Sequence, residues 1–172
     1  MYDNLRSLET GEDVETVAPV IGTIIPLALA NNAFGATNGA EVTAYWTVTD
    51  AVQLSGSYTF LRMNLHGRPW STDEDVDGPE RELAKNMFFL RSYTDLPGRV
   101  ELNGDLRFVG SIPGQDVAAN WDANVRASRS IGHGVRVGMS LENLLHERRH
   151  EWNGEDGLVQ SRSVRAKVDW RF

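Results

Sequence analysis

The chain contains no cysteine, which excludes disulfides and thiolate metal sites. It also lacks any run of the roughly 18 or more apolar residues that a membrane-spanning helix needs, so a helical membrane protein is excluded. Positive charge is in deficit. The 17 basic residues are outnumbered by 24 acidic ones, and they are scattered rather than gathered into a patch that neutralises phosphates, so no nucleic acid is expected as a partner. The segment Met1 to Glu9 has no basic stretch followed by an apolar core, so nothing in it directs export. A mean hydropathy of -0.36 suits a water-soluble chain. It suits a transmembrane β-barrel equally, because only every second residue of a barrel strand meets lipid.

What the chain has in abundance is alternation. From Val164 to Phe172 the even positions Val164, Ala166, Val168, Trp170 and Phe172 are apolar, and Arg165, Lys167, Asp169 and Arg171 lie between them. Period 2 is the mark of a strand with two chemically different faces, and no helix sorts residues this way. The same rule runs through Val135 to Leu141, Ala119 to Ala127, Val100 to Phe108, Val52 to Phe60 and Val42 to Val48. Met87 to Thr94 is ambiguous, since Phe88, Phe89 and Leu90 compete for the apolar face. Val14 to Phe34, interrupted by Pro19 and Pro26, shows no clean period and is expected to be an irregular link.

Tight turns are expected at Thr49-Asp50-Ala51, Leu96-Pro97-Gly98 and Gly132-His133-Gly134, with longer polar links at His66 to Leu83, Gly110 to Asp116 and His146 to Leu158. Short turns at one end and long links at the other describe an all-β, antiparallel up-and-down meander of the kind found in outer-membrane barrels. With the short turns on the periplasmic side, Trp46, Trp170 and Phe172 fall near the inner rim. Tyr58, Phe60, Phe88, Phe108 and Trp121 then fall near the outer rim, giving two aromatic girdles. The segments run about 9 to 14 residues, against about 9 to 11 needed to cross a bilayer. Pointing Arg165, Lys167 and Arg171 at lipid would cost up to about 2 to 4 kcal/mol each near the midplane, so the charged face is expected to line a lumen.

Several of these segments carry a resemblance. Asn38-Gly39-Ala40-Glu41-Val42, Leu54 to Phe60, Leu96 to Leu102, Leu141-Glu142-Asn143-Leu144-Leu145 and the terminal Val168-Asp169-Trp170-Arg171-Phe172 together resemble the C-terminal strands of TonB-dependent receptors, across nearly the whole of residues 1–172. The resemblance implies a 22-stranded barrel, of which about seven strands and a partial one at Asn4 to Leu8 are visible. It implies uptake of scarce nutrients such as iron-siderophore complexes or cobalamin, with energy from the TonB complex acting through a plug domain. The plug, the TonB box and the signal peptide are not seen in the sequence, and the chain reads as a fragment of a longer protein. The implied partners are outer-membrane lipid and lipopolysaccharide, the rest of the receptor barrel with its plug, and TonB through that plug. The C-terminal pattern of Val164, Ala166, Val168, Trp170 and Phe172 is similar to the signal read by barrel-assembly machinery.

Two motifs invite sharper readings. His146-Glu147-Arg148-Arg149-His150 fits the H-E-x-x-H pattern of zinc proteases, which needs both histidines on one face of a helix. Here it follows a strand and runs into Trp152-Asn153-Gly154, so a loop is expected instead. Asp73 to Gly78 resembles the first half of a calcium loop, but its twelfth position is Ala84 where a bidentate glutamate belongs, and a solvated acidic loop is expected. Arg62 and Arg129 lie on the lipid face near strand ends, where snorkelling reaches the headgroups. The inward charges Glu101, Asp105, Arg107, Arg126, Glu142, Arg165 and Lys167 are expected to solvate the lumen and pair with neighbours. No catalytic centre, cofactor or metal site is expected. Two alternatives stay open: a self-contained eight-stranded outer-membrane barrel with a structural or binding role, and a soluble β-sandwich binding module.

Overall fold

The computed structural model describes residues 5–13, 27–146, 148–150 and 159–171. Eight strands form one antiparallel sheet: β1 (Leu5–Asp13), β2 (Leu27–Thr49), β3 (Val52–Gly67), β4 (Asn86–Leu96), β5 (Val100–Val109), β6 (Asn120–Gly132), β7 (Val135–Glu142) and β10 (Ser163–Trp170). Their order in space is their order in sequence, and each strand reverses the direction of the one before. A separate ribbon pairs β8 (Arg148–His150) with β9 (Val159–Ser161), and a single helical turn, α1 (Gly78–Arg81), lies between β3 and β4.

The three expected turns are present, and the reasons are local. At the β6–β7 hairpin His133 and Gly134 adopt φ of 48° and 74°. Two consecutive positive φ values give a turn whose twist matches that of the flanking strands. The long connections, residues 68–85 and 110–119 and the described parts of 143–162, leave the sheet at its opposite end.

Residues 27–34, expected as an irregular link, belong to β2, which runs 23 residues. Their own pattern, Leu27-Ala28-Leu29-Ala30-Asn31-Asn32-Ala33-Phe34, has four apolar residues in a row and then two adjacent asparagines, so it shows no period. Pairing with β1 along Leu27 to Ala30, and with β3 from Ala33 onward, imposes the extended form instead. Residues 14–26 of that expected link lie outside the described residues. β1 is longer than the expected partial strand at Asn4 to Leu8, and Asn4 also lies outside them.

Strands β2 and β3 project beyond the rest. The β3–β4 ladder ends at Phe60–Asn86, whereas β2 and β3 stay paired out to Ala33–Gly67, and β1 lies only against this projection. The link 68–85 folds back over it. Among the described residues the buried apolar side chains are Ala33, Ala36 and Leu65, all within the projection. Glu80 of α1 accepts a hydrogen bond from the Leu65 amide, and Gly11 donates to Asp73 at 3.0 Å, fastening the link. No second layer covers the main sheet among the described residues, which is not how a β-sandwich stabilises itself. No ladder joins β1 to β10 there either, so the sheet is open.

Candidate functional site

The candidate surface is the main sheet, whose register sorts the side chains into two faces. On one face Val42 pairs with Tyr58, Tyr58 with Phe88, Phe88 with Phe108 and Phe108 with Trp121. Four aromatic rings on four successive strands therefore form one row. Phe108 and Trp121 stack tilted at 4.9 Å, Phe88 meets Trp121 edge-on at 6.1 Å, and the Tyr58 hydroxyl donates to Asn86 Oδ1 at 2.6 Å. Phe60 stands one step further out, opposite Asn86. The alternation carries the same face onward: Leu90, Leu106 and Ala123 share a row, Val125 pairs with Leu141, and Leu141 pairs with Val164.

Trp46 and Trp170 lie toward the short turns of their own strands, Trp46 in the row of Leu54, Ser92, Gly104 and Val125 and Trp170 in that of Val135 and Gly132. Trp46 lies four residues before Asp50, and Trp170 pairs with Val135 next to the His133–Gly134 turn. They occupy β2 and β10, which are not neighbours. Val164, Ala166 and Val168 pair with Leu141, Met139 and Val137, so with Trp170 the described part of the C-terminal apolar pattern lies on this face. Phe172 lies outside the described residues. The face is open to its surroundings: Trp46, Val168 and Trp170 are 64%, 69% and 68% exposed.

The opposite face is polar and densely paired. Glu101 accepts from Arg136 at 2.9 Å and from Ser128 at 3.3 Å, Asp105 accepts from Asn124 at 2.8 Å, and Glu142 pairs with Arg165 at 3.0 Å. Lys167 meets Asp169 at 2.9 Å. A groove of about 710 Å³ runs along this face between Phe89, Asp105, Arg126 and Arg165. These are partly exposed pairs in water, each worth at most about 1 kcal/mol. Their joint effect is to keep a charged surface wet and neutral in patches.

The ambiguity in β4 resolves cleanly. Phe88 and Leu90 lie on the apolar face, while Phe89 and Tyr93 flank Arg91 on the polar one, with the guanidinium 4.8 Å from the Phe89 ring centre and 6.0 Å from that of Tyr93. This stack was missed in the sequence. Its signal was the spacing of Phe89, Arg91 and Tyr93 at every second position, which puts all three on one side of a strand.

A second missed cluster lies in the projection. Glu12 accepts hydrogen bonds from the Thr10 hydroxyl at 2.6 Å, the Thr72 amide at 2.5 Å, the Ser71 hydroxyl at 2.7 Å and the Thr72 hydroxyl at 2.8 Å. Led by the Thr10 hydroxyl and then the Thr72 amide, these donors hold its carboxyl well below the usual carboxylate range. Protonation is thus harder in the folded chain than in the unfolded one. The contribution to stability is complete above about pH 4.3, the ordinary value, and is lost as pH falls through the depressed one. The Thr72 amide resonance should therefore titrate with a midpoint far below that of a free glutamate. Glu12→Gln should abolish that titration, and a midpoint at the ordinary value would contradict the network.

The two tempting motifs meet different surroundings. His146 Nε2 lies 2.8 Å from the Trp121 carbonyl oxygen, and residues 148–150 are extended rather than helical, so the single helix face that H-E-x-x-H chemistry requires does not form there. Glu147 lies outside the described residues. In the acidic loop Arg81 pairs with both Asp75 and Asp77, the latter at 2.8 Å, and Asp73 accepts from the Asp75 amide at 2.9 Å. Arg129, at the short-turn end of the apolar face, reaches the Gly98 carbonyl at 3.3 Å.

No family model matches this chain, and no curated protein or solved structure matches it either.

Proposed function

We propose that this chain is part of an outer-membrane β-barrel, with the apolar face toward lipid and the charged face toward a wet interior. The observation that carries the reading is the largely apolar register across seven strands, with no layer over it among the described residues. Soluble monomers rarely expose contiguous apolar patches beyond a few hundred Å². The ring positions agree. From Trp121 to Gly132, the level of Trp170, β6 rises about 36 Å at roughly 3.3 Å per residue. At about 40° of tilt that corresponds to about 28 Å of depth, close to the apolar band of about 25 Å in such barrels.

Within that class, the sequence resemblance favours a TonB-dependent receptor, with these strands serving nutrient uptake as part of a complete barrel, plug and TonB assembly. The C-terminal pattern on β10 would present the strand to barrel-assembly machinery, and the projection of β1 to β3 would stand beyond the outer leaflet among lipopolysaccharide. The paired charges of the polar face would give the interior a hydrated lining.

Lipid contact is directly measurable. Single-tryptophan variants retaining Trp46, Trp121 or Trp170, refolded into vesicles, should be quenched strongly by lipids brominated near the headgroup. Trp70, held by Asn32 in the projection, should be quenched little. Equal and weak quenching at all four positions, with a chain that stays monomeric without detergent, would reject the membrane reading.

A further inference from the structure

Beyond the aromatic row the apolar face changes character on β3. Tyr58 and Phe60 are followed at every second position by Arg62, Asn64 and His66, which pair with Asn38, Ala36 and Phe34 of β2. Alternation keeps all of them on the face that carries Val42 and Trp46 lower down. Among the described residues, Arg62 and Arg129 are the only arginine, lysine or carboxylate side chains on this face of the main sheet from β2 to β10, and they stand at opposite ends of it.

The column is ordered by its own contacts. The Phe34 and His66 rings lie tilted at 5.7 Å, and Asn64 Nδ2 is 2.9 Å from His66 Nε2. The Arg68 guanidinium sits 5.8 Å from the Phe34 ring centre and 5.7 Å from that of Trp70, whose indole donates to Asn32 at 3.0 Å. A guanidinium carries several donors, and Arg68 gives one to the Arg6 carbonyl at 3.1 Å. No carboxylate pairs with Arg62 or Arg68 among the described residues. Glu12, which pairs with Ala28 further out, already accepts from Asn32, Thr10, Ser71 and Thr72.

Height decides what the column meets. Interfacial rings mark the edge of the hydrocarbon. At about 3.3 Å per residue and about 40° of tilt, Arg62 stands about 5 Å and His66 about 15 Å above Phe60, among headgroups.

We infer that Arg62, Asn64, His66 and Arg68, with the rings of Phe34 and Trp70, form a binding site for the phosphorylated sugar headgroup of an outer-leaflet glycolipid, lipopolysaccharide in the membrane proposed above. Charge complementarity selects the phosphate, whose oxygens match a guanidinium fork. Asn64 and His66 supply donors and acceptors for sugar hydroxyls, and Trp70, 65% exposed, offers its ring to the apolar side of a sugar. The inference rests on the membrane reading and adds to it the lipid class and the residues that hold it.

The test uses the full chain refolded in a neutral detergent and titrated with core-truncated lipopolysaccharide, the bound lipid being counted by native mass spectrometry. The double variant Arg62→Gln with Arg68→Gln should bind at least about tenfold more weakly. The unsubstituted chain should lose as much when the glycolipid has been stripped of its phosphates, a comparison that needs no variant to fold. Arg129→Gln, at the other end of the face, should leave the affinity unchanged. Undiminished binding by the double variant, equal binding of phosphatidylglycerol, or full displacement by millimolar inorganic phosphate would each overturn the inference while leaving the membrane reading intact. A chain that brominated lipids fail to quench in vesicles fails the membrane reading, and the inference falls with it.

Discussion

Val125→Arg should abolish stable insertion, lowering stability in lipid by about 2–4 kcal/mol, while Ser57→Arg should change it by no more than about 1 kcal/mol. Val125 lies on the apolar face of β6, opposite Gly104 on one side and Leu141 on the other, roughly midway between the levels of Trp121 and Trp170. An arginine there has hydrocarbon on every side and is too far from either interface to snorkel fully. Ser57 lies on β3 next to the aromatic row, paired with Thr43 and Phe89, and faces the polar side, where water solvates an added guanidinium. Urea titration of both variants in vesicles, followed by tryptophan fluorescence, measures the difference. Equal losses would mean that the two faces do not meet different media.

Gly35→Ala should cost about 1–3 kcal/mol, with the damage confined to the projection. Gly35 is buried between Leu5 of β1 and Leu65 of β3, and a Cβ built on it would overlap the Asn64 carbonyl oxygen. The obstacle is backbone, so no side-chain rotation relieves it, and β2 and β3 must separate locally. Hydrogen exchange should rise in residues 5–13 and 27–37 and stay unchanged in β5 to β7. Uniform protection across the projection would show that the strands part without penalty.

The main sheet was legible in the sequence because each of its faces meets one medium throughout, so burial and period 2 coincide. Val164 to Trp170 is the clearest case, and its register against β7 matches the alternation without a slip. The projection was not legible for the opposite reason. Around residues 27–37 one part of the strand packs under a folded link and another is open, so Ala33, Gly35 and Ala36 are buried in near succession and the alternation disappears. The Glu12 cluster was hidden because its donors, Ser71 and Thr72, are some 60 residues away, and a single carboxylate carries no local pattern. The Phe89–Arg91–Tyr93 stack was obscured by its neighbours. Three consecutive large apolar residues, Phe88 to Leu90, blur a two-residue period until the cross-strand partners assign each ring to its side.

The nearest-neighbour order of the main sheet also bears on how quickly it assembles. Four of its seven ladders, β2 with β3 and then β4 through β7, join segments separated by connections short enough to close within microseconds, so hairpins are available as building units. The β7–β10 ladder is different, because Glu142 must find Ser163 across an intervening stretch that carries its own small ribbon. Low sequence separation elsewhere makes that docking the step with the greatest loop-closure entropy among these late strands. The C-terminal strand should therefore be the last of them to acquire its partner, leaving its apolar face accessible longest to whatever escorts the nascent sheet.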